Sequence, residues 1–335
     1  MTTQLDFSCG VGLESTFATF AVASRFFESE AKAKWDVKTT EGKGLRPTKG
    51  VTRTSRHSIT HVEGSVDIAL DAPTSGLGFL INAVMGSVTT NLVTAGTYQQ
   101  VHTLSTTDPI QTYSIQQVVP LLGGAANNAH SFRGCAFDSL TIEAKEGEYV
   151  AFTASAILSR LITAGAGAAP SYPSNDGLFS YVHGAITLDP VATLTEPTTT
   201  ALASLSSSSA VNVVDFSVNV KRNLDQKGFN LGGAGLRRRA PVLGRPEITG
   251  KITVEYTDNT LRDAYLSQGS VPCVLTFTNG SAVLQVVLPA IRFSGELPTS
   301  NGGDVVTQSI PFKAFDNGTA SQPIWIVYRS ADTAP

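Results

Sequence analysis

The chain has 335 residues, enough for two domains of ordinary size. Hydrophobic residues make up 41 % of it and charged residues only 15 %, well below the roughly 25 % of typical soluble domains. The formal net charge of −3 gives no case for a protein that binds free nucleic acid. The abundance of Thr, Ser, Val, Ala and Gly suits half-buried strands and a surface hidden against copies of the same chain, rather than the charged surface of a soluble enzyme.

The three cysteines, Cys9, Cys135 and Cys273, are far apart and odd in number. They lack any metal-ligand spacing, so we expect small buried thiols rather than a disulfide scaffold or a metal site. No signal peptide is visible, and the longest apolar run, 77–88, is too short to span a bilayer. We therefore expect synthesis in a cytoplasm and no membrane partner.

The first half is predicted to be strands interrupted by one long loop and one short helix. An N-terminal arm to residue 24 precedes a strand at 31–38 and a polar loop at 39–58. The return strand 61–70, "HVEGSVDIAL", alternates apolar and polar residues, which is typical of a strand with one buried face. The segment 72–87 begins at Pro-Thr-Ser and stops at Gly86, which predicts a short helix. Further strands are predicted at 97–104, 112–119, 137–144, 148–158 and 179–188.

The second half is predicted to replay this order after a low-complexity linker or exposed loop at 195–210. A strand at 215–222 enters a loop at 223–246, and the return strand "EITGKITVEY" follows. A helix at 258–270 opens on Asp258 or Asn259 as N-cap and ends at Gly269. Further strands are predicted at 272–278, 282–288, 289–294, 304–315 and 323–329.

The two halves share register as well as element order. Gly64 and Gly250 occupy the same position in the two return strands. Three apolar residues of the strand before each loop also correspond: Ala33, Trp35 and Val37 match Phe216, Val218 and Val220. We therefore predict a duplicated domain, with residues 1–190 as the first copy and its N-terminal arm, and residues 191–335 as the second.

The basic charge is concentrated in the two long loops. Residues 38–58 and 221–246 hold 13 of the 24 Lys and Arg residues but only Glu41 and Asp225 of the 27 acids. The rest of the chain keeps 11 basic and 25 acidic residues. Loops that carry charge of one sign are stabilised when they lie on a surface of the opposite charge, so we expect them to dock on acidic parts of another copy.

No catalytic constellation is visible in the sequence. Neither G-x-S-x-G nor a Walker loop occurs, and the glycine-rich "GFNLGGAGL" does not open a helix. His57 and His61 lie four apart in an extended segment, roughly 13 Å, too far to share a metal. We expect no enzyme, no catalytic residue, no cofactor and no metal.

The arrangement resembles the tail tube protein, or major tail protein, of bacteriophages with long non-contractile tails. The first-half segments that carry the resemblance are "KWDVKTTEGKGLRPTKGVTRTSRHS", "HVEGSVDIAL", "SGLGFLINAVMGS" and "FDSLTIEAKEGEYVAFTASAIL". The second-half segments are "VNVKRNLDQKGFNLGG", "PEITGKITVEY" and "LRDAYL". The resemblance covers most of the chain, as a shared pattern rather than a signature motif. It implies a mainly β fold of two tandem tail-tube-like β-sandwich or barrel domains, each with one short flanking helix and a long loop.

The resemblance also implies a function. Such a chain is a structural virion protein that forms trimeric, pseudo-hexameric rings, which stack into the tail tube, the conduit for DNA ejection. The implied partners are other copies of the chain, the tape measure protein, the tail terminator and tail-tip or baseplate proteins, with transient non-specific passage of DNA through the lumen. The implied location is the virion tail, assembled in the host cytoplasm.

Within that assembly two sets of residues become candidates. The polar sides of the return strands would face the lumen, where an acidic or neutral wall repels phosphate and Lys251 departs from a purely acidic one. These lumen candidates are Glu63, Ser65, Asp67, Thr249, Lys251, Thr253 and Glu255. The inter-ring stacking candidates are Lys43, Arg46, Lys49, Arg53, Arg56, Lys227, Arg237, Arg238, Arg239 and Arg245.

Two alternatives stay open from the sequence. A capsid or decoration protein, or a pilus- or adhesin-like β-sandwich subunit, shares the composition and turn density. An enzyme or a sugar-binding β-domain would need a cluster of residues that the sequence does not reveal.

Overall fold

The computed structural model describes residues 5–44, 46–121, 127–163, 165–173, 176–206, 212–295, 297 and 306–335. These residues form nineteen β-strands and two α-helices, with 52 % of the chain in strands. The prediction of a mainly β fold of the β-sandwich type is therefore confirmed.

The first half contains eleven strands and the helix α1. They are β1 Ser8–Leu13, β2 Arg25–Phe27, β3 Glu30–Glu41, β4 His57–Asp71, α1 Gly78–Met85, β5 Gly86–Thr94, β6 Thr97–Leu104, β7 Tyr113–Pro120, β8 Asn127–Ala144, β9 Ala151–Leu158, β10 Arg160–Ile162 and β11 Gly184–Leu188. Two single-turn 3₁₀ helices lie at Thr54–Arg56 and Tyr181–His183.

The second half contains eight strands and the helix α2. They are β12 Leu194–Thr195, β13 Ser204–Leu205, β14 Val213–Lys221, β15 Glu247–Glu255, α2 Thr260–Ser267, β16 Val271–Asn279, β17 Ala282–Phe293, β18 Thr307–Ala314 and β19 Trp325–Ser330.

A seven-stranded antiparallel sheet runs through both halves, in the order β3–β4–β9–β8–β14–β15–β18. Its central junction is the pairing of β8 with β14, where Ser139 stands opposite Lys221 and Ala144 opposite Phe216. A strand of the first half is therefore hydrogen-bonded directly to a strand of the second half.

Two further layers of strands pack against this sheet. In the first layer, β7 pairs with β1 and with the N-terminal part of β8, while β2 and β10 lie at its edges. The second layer has the order β11–β16–β17–β19–β6–β5. The first-half hairpin β5–β6 thus extends a layer that is otherwise built by the second half.

One apolar core lies between the seven-stranded sheet and these layers. It takes core-facing residues of the sheet, such as Val66, Ile142 and Val218, together with Ile115 and Leu284 of the layers. Helix α1 is part of this core, since Leu80, Ile81, Val84 and Met85 are fully buried. Burial of this apolar surface is the main term that holds the two halves together.

Both predicted helices are present but shorter than predicted. Helix α1 begins only after Leu77, and Gly86 ends it in a left-handed conformation with φ of 82°, as its stop signal predicts. In α2 the N-cap is Asn259, although its side chain makes no capping bond; the Asp258 carboxylate accepts from the Thr260 amide instead. Gln268, one residue before the predicted stop, takes the left-handed position.

Several strand predictions were wrong in extent. Strand β1 lies within the predicted N-terminal arm, β2 begins directly after it at Arg25, and neither β2 nor β5 has a predicted counterpart. The two strands predicted at 282–288 and 289–294 are the single strand β17. These strands lie in layers buried on both faces or at a sheet edge, where the alternation of polar and apolar residues is lost.

The segment predicted as a linker is packed instead. Strands β12 and β13 form a small hairpin whose Leu194 and Leu205 contact a cluster around Trp325 on the second layer. The Gln285 side chain holds it, accepting from the Ala203 amide at 2.9 Å and donating to the Ala203 carbonyl at 3.1 Å. The rest of the predicted linker, 207–210, lies outside the described residues.

Among the described strands, three pairings cross the predicted division at residue 190. They are β8 with β14, β6 with β19, and β11 with β16. Strand β11 was predicted to close the first half and instead adds to the second layer, next to β16. The division into residues 1–190 and 191–335 stays a prediction.

Candidate functional site

The pairing registers define which residues correspond in the two halves. Trp35 stands opposite Gly64 in the first half, and Val218 stands opposite Gly250 in the second. In the same way Lys38 pairs with His61, and Lys221 pairs with Glu247. Strand β14 is therefore the counterpart of β3, and β15 is the counterpart of β4.

These counterparts differ in what covers their outer edge. Strand β14 pairs with β15 on one side and with β8 on the other, whereas β3 pairs, among the described strands, with β4 only. The core-facing Val220 of β14 is 1 % exposed, while its counterpart Val37 on β3 is 42 % exposed. An open strand edge with exposed β-branched side chains is a surface that pairs readily with another strand.

Both basic loops lie at the same end of the seven-stranded sheet, which we call the loop end (residues 41–57 and 221–247). Strands β3 and β4 extend beyond their neighbours as a two-stranded hairpin, with Glu41 opposite His57. Five stacking candidates on this first loop are all exposed: Lys43, Arg46, Lys49, Arg53 and Arg56.

The second loop is folded down onto the first half. Leu224 and Leu243 pack with Ile110, Ala136 and Ile157, and the Leu224 amide donates to the Asp138 carboxylate at 2.8 Å. The stacking candidates Lys227, Arg238, Arg239 and Arg245 remain exposed. Arg239 forms a salt bridge with Asp225 at 2.8 Å, which lowers the pKa of that carboxyl.

Arg237 differs from the other nine stacking candidates because its side chain is only 1 % exposed. Its guanidinium lies over the Phe229 ring, 4.8 Å from the centroid, and donates to the Gln226 and Lys227 carbonyls. Burial lowers the pKa of Arg237. A guanidinium held in this way is not available for an ion pair with another copy of the chain.

The opposite end of the sheet, which we call the turn end, is acidic. It consists of residues 28–30, 71, 143–150, 180–189, 213–215 and 255–258, which the strand registers place together. These segments carry one lysine, Lys145, and ten carboxylates: Glu28, Glu30, Asp71, Glu143, Glu146, Glu148, Asp189, Asp215, Glu255 and Asp258. Exposed Tyr149 and Val182 add apolar surface there. The molecule thus has a basic end and an acidic end.

The seven lumen candidates all lie on the side of the sheet that faces away from the core. Their neighbours Val62, Val66, Ile252 and Val254 point inward and are 9 % exposed or less. We call this outward side the polar face. It carries nine carboxylates and six lysines in the described strands: Glu30, Asp36, Glu63, Asp67, Asp71, Glu143, Asp215, Glu247 and Glu255, with Lys32, Lys34, Lys38, Lys221, Lys251 and Lys313.

Some of the charges of the polar face are paired with each other. Lys32 lies 3.2 Å from Glu30, and Lys38 and Lys313 form ion pairs with Asp36 and Glu247. Between them runs an uncharged row across the sheet, in which the successive neighbours are Thr153, Thr141, Asn219 and Thr249. Such a surface has mixed charge and small polar groups, rather than the acidic character that the return strands alone would give.

The described residues hold no group of three His, Cys, Asp or Glu side chains placed to bind a metal. All three cysteines are buried and free, and burial raises the pKa of the Cys9 and Cys273 thiols to about 12. The described helices are too short to cross a bilayer.

Sequence reasoning missed the open edge of β3 and the buried role of Arg237. The edge depends on which strand lies beside β3, which is a long-range property. For Arg237 one signal was available, since an arginine in a loop that also contains Phe229 and several glycines can turn back onto its own chain.

No curated protein matches the chain at a significant level. Residues 9–314 match the family model described as phage tail tube protein. The match spans nearly the whole chain. The chain therefore belongs to the phage tail tube protein family.

Proposed function

We propose that three copies of this chain close into a pseudo-hexameric ring, that the rings stack into the tail tube, and that the tube is the conduit for DNA ejection. The observation that carries the proposal is the difference between β14 and β3. One chain places the β3–β4 pair and the β14–β15 pair of matching register in a single sheet, where β8 covers the outer edge of β14 and no described strand covers that of β3. The edge of β3 then pairs with the second half of another copy, and the same contact repeats until the ring closes.

The exposure of the β3 side chains supports this pairing. Val37 is 42 % exposed on β3, whereas its counterpart Val220 is 1 % exposed beside β8. A neighbouring strand on β3 would remove that apolar surface from water, which stabilises the ring. It would also remove the open edge, which otherwise invites uncontrolled aggregation.

The opposite charges of the two ends support head-to-tail stacking of the rings. The exposed basic residues of the loop end would meet the carboxylates of the turn end of the next ring. Each exposed ion pair contributes only about 0 to 1 kcal/mol, so the charges act together to set orientation and register. The polar face then lines the lumen, where its small polar groups and mixed charge give DNA few places to bind.

The same assembly defines partners and location. Rings that stack without limit need a protein that sets the length and proteins that end the tube, which fits a tape measure protein, a tail terminator and tail-tip or baseplate proteins. Copies assemble in the host cytoplasm and remain in the virion tail. The protein acts as a structural element rather than as an enzyme.

The test is to block the free edge of β3 with proline. Val62 donates its amide to Gly235, away from β3, so Ala33, opposite Val66, points its own amide to the open edge. Ala33→Pro therefore removes an outward donor while leaving the hydrogen bonds between β3 and β4 intact. We expect the variant to fold but to remain a monomer by size-exclusion chromatography, and to form no tubes by electron microscopy.

Ala33→Ser is the matched control, because it changes the same side chain and keeps the amide. It should form rings and tubes like the unmodified protein. Tubes of normal length from the proline variant would rule out β3 pairing as the ring contact.

A further inference from the structure

The two basic loops contain the same local turn. Lys43-Gly44 in the first loop and Lys227-Gly228 in the second both place the glycine at positive φ, 121° and 113°. In each loop an arginine Nη1 then donates to the lysine carbonyl. Arg56 reaches Lys43 O at 3.1 Å, and Arg237 reaches Lys227 O at 3.0 Å. Arg56 is thus the structural counterpart of Arg237.

The second loop uses this turn to hold the first half of its own chain. The Gly235 carbonyl accepts from the Val62 amide at 2.9 Å, and the Phe229 ring lies 5.1 Å from the His61 ring. Arg160 donates to the Arg237 carbonyl at 3.4 Å. These contacts bridge the junction between β8 and β14, and they bury Arg237.

The contact is close enough to require a glycine. Gly235 has φ of 73°, and a Cβ on it would lie 3.0 Å from the Cα of His61 and 3.1 Å from the Thr60 carbonyl. The loop and the start of β4 are therefore fitted backbone to backbone.

The first loop has the turn but not the contact. Its hydrogen bonds within the described part of the chain join residues 42–56 only to each other, as from the Gly42 amide to the Arg56 carbonyl at 2.8 Å. Arg56 is exposed, whereas its counterpart is buried. The surface that would cover it corresponds to the first half beside β14, and the first loop has no such half next to it in one chain.

We propose that the first loop clasps the second half of the neighbouring copy in the ring, as the second loop clasps the first half of its own chain. This inference rests on the proposed ring. The registers identify the receiving site as the start of β15, because Glu247 and Ile248 correspond to His61 and Val62. Glu247 offers a carboxylate to Arg56, in addition to the ion pair it forms with Lys313. Lys43 and Arg56 thus serve ring closure, while Arg46, Lys49 and Arg53 remain for stacking.

Cross-linking distinguishes a clasp within a ring from a contact between rings. Thr54 stands two residues before Arg56, as Gly235 stands two before Arg237, so Thr54→Cys and Glu247→Cys place two thiols across the proposed contact. A short bismaleimide should react with these thiols alone, since Cys9, Cys135 and Cys273 are buried. A closed ring gives a ladder on a denaturing gel that stops at three copies.

Two results would overturn the clasp. One is a ladder that continues beyond three copies, which means that the loop bridges rings; the other is no ladder in a preparation where electron microscopy shows rings. Neither result contradicts the proposed assembly of the chain into rings. A preparation without rings would instead refute the proposed function. The single variants Thr54→Cys and Glu247→Cys should give no ladder.

A second pair of variants tests the clasp without cross-linking. Arg56→Ala should reduce the fraction of protein in rings at least tenfold at a fixed low concentration, measured by analytical ultracentrifugation. Arg46→Ala removes an equal charge from the same loop and should leave that fraction unchanged. Equal ring fractions for the two variants would contradict the proposal.

Discussion

Gly64 and Gly250 point into the core at equivalent positions, and each leaves room for an aromatic ring. A Cβ on Gly64 would lie 2.6 Å from the Trp35 ring, and one on Gly250 would lie 2.3 Å from the Phe312 ring. The aromatic ring belongs to a residue of β3 in the first half and to a residue of β18 in the second. The repeated glycine therefore reflects a shared packing requirement that different residues fill, which explains why the halves keep register with little identity.

His102 makes the stability of the protein depend on pH. It is fully buried on β6, neither ring nitrogen has a hydrogen-bond partner within the described residues, and burial lowers its pKa from 6.5 to about 3. The unfolded chain therefore binds a proton below pH 6.5 that the folded chain does not bind until about pH 3.

The contribution of His102 to stability should then be constant above pH 6.5 and fall by about 1.4 kcal/mol per pH unit as the pH drops below it. Urea unfolding at pH 7.5 and 5.5 measures the loss for the Ala33→Pro monomer, which avoids the contribution of assembly. His102→Leu should remove this part of the pH dependence, while His57→Leu, at an exposed position, should retain it. An unchanged slope in His102→Leu would show that other groups cause it.

At the scale of elements, the long alternating strands could be predicted from the sequence and the buried or edge strands could not. Strands β4 and β15 each have one buried and one polar face, which is visible as period-two alternation. Strand β1, in contrast, is almost wholly buried, and β5 is an edge strand of Thr, Ser and Asn. Strand β1 depends on β7, which pairs with it from far along the chain, and β5 depends on its hairpin partner β6.

The candidate site likewise contains features that could be predicted from the sequence and features that could not. The sequence predicted which loops are basic and which strand faces are polar, because composition and periodicity are local. It could not predict that Arg237 is buried while Arg56 is exposed, because the difference lies in the half that packs beside each loop. The placement of most basic residues at one end and many acids at the other follows from strand register, which is also a tertiary property.

The hairpin β12–β13 gives a test at this scale. Gln285 satisfies both the amide and the carbonyl of Ala203, as a neighbouring strand would. Gln285→Ala leaves two buried backbone groups without that partner, at a cost of about 1 to 3 kcal/mol. We expect amide hydrogen exchange across residues 192–206 to become roughly ten- to hundredfold faster, by mass spectrometry.

Gln268→Ala is the matched control, because that side chain also donates to backbone carbonyls, those of Tyr265 and Phe293 at the end of α2. It should leave exchange in residues 192–206 unaltered. If Gln285→Ala also leaves it unaltered, the apolar contacts of Leu194 and Leu205 suffice to hold the hairpin.

At the scale of the whole molecule, the separation of charge along the sheet is the dominant feature. The loops hold 13 basic and two acidic residues, and the turn end carries ten carboxylates against one lysine. The net charge of −3 hides this polarity because the two ends offset each other. A chain polarised in this way attracts a copy placed head to tail and repels one placed head to head, which fixes the direction of a stack.

This polarity predicts the outcome of a charge exchange between the ends. Arg46→Glu, Lys49→Glu and Arg53→Glu should abolish tubes and leave single rings, because three exposed attractions become repulsions. Adding Glu146→Lys and Glu148→Lys to the same chain should restore tubes in part, since opposite charges again face each other. Lys145→Glu is the control for sign: it is the same kind of reversal at the acidic end, and it should not shorten tubes.

Salt should weaken tubes of the unmodified protein, because the Debye screening length falls from about 8 Å at 0.15 M to about 3 Å at 1 M ionic strength. Electron microscopy measures the tube length and the number of single rings for each variant. Tubes from the triple variant as long as those of the unmodified protein, or no recovery in the five-fold variant, would mean that stacking depends on contacts other than these charges.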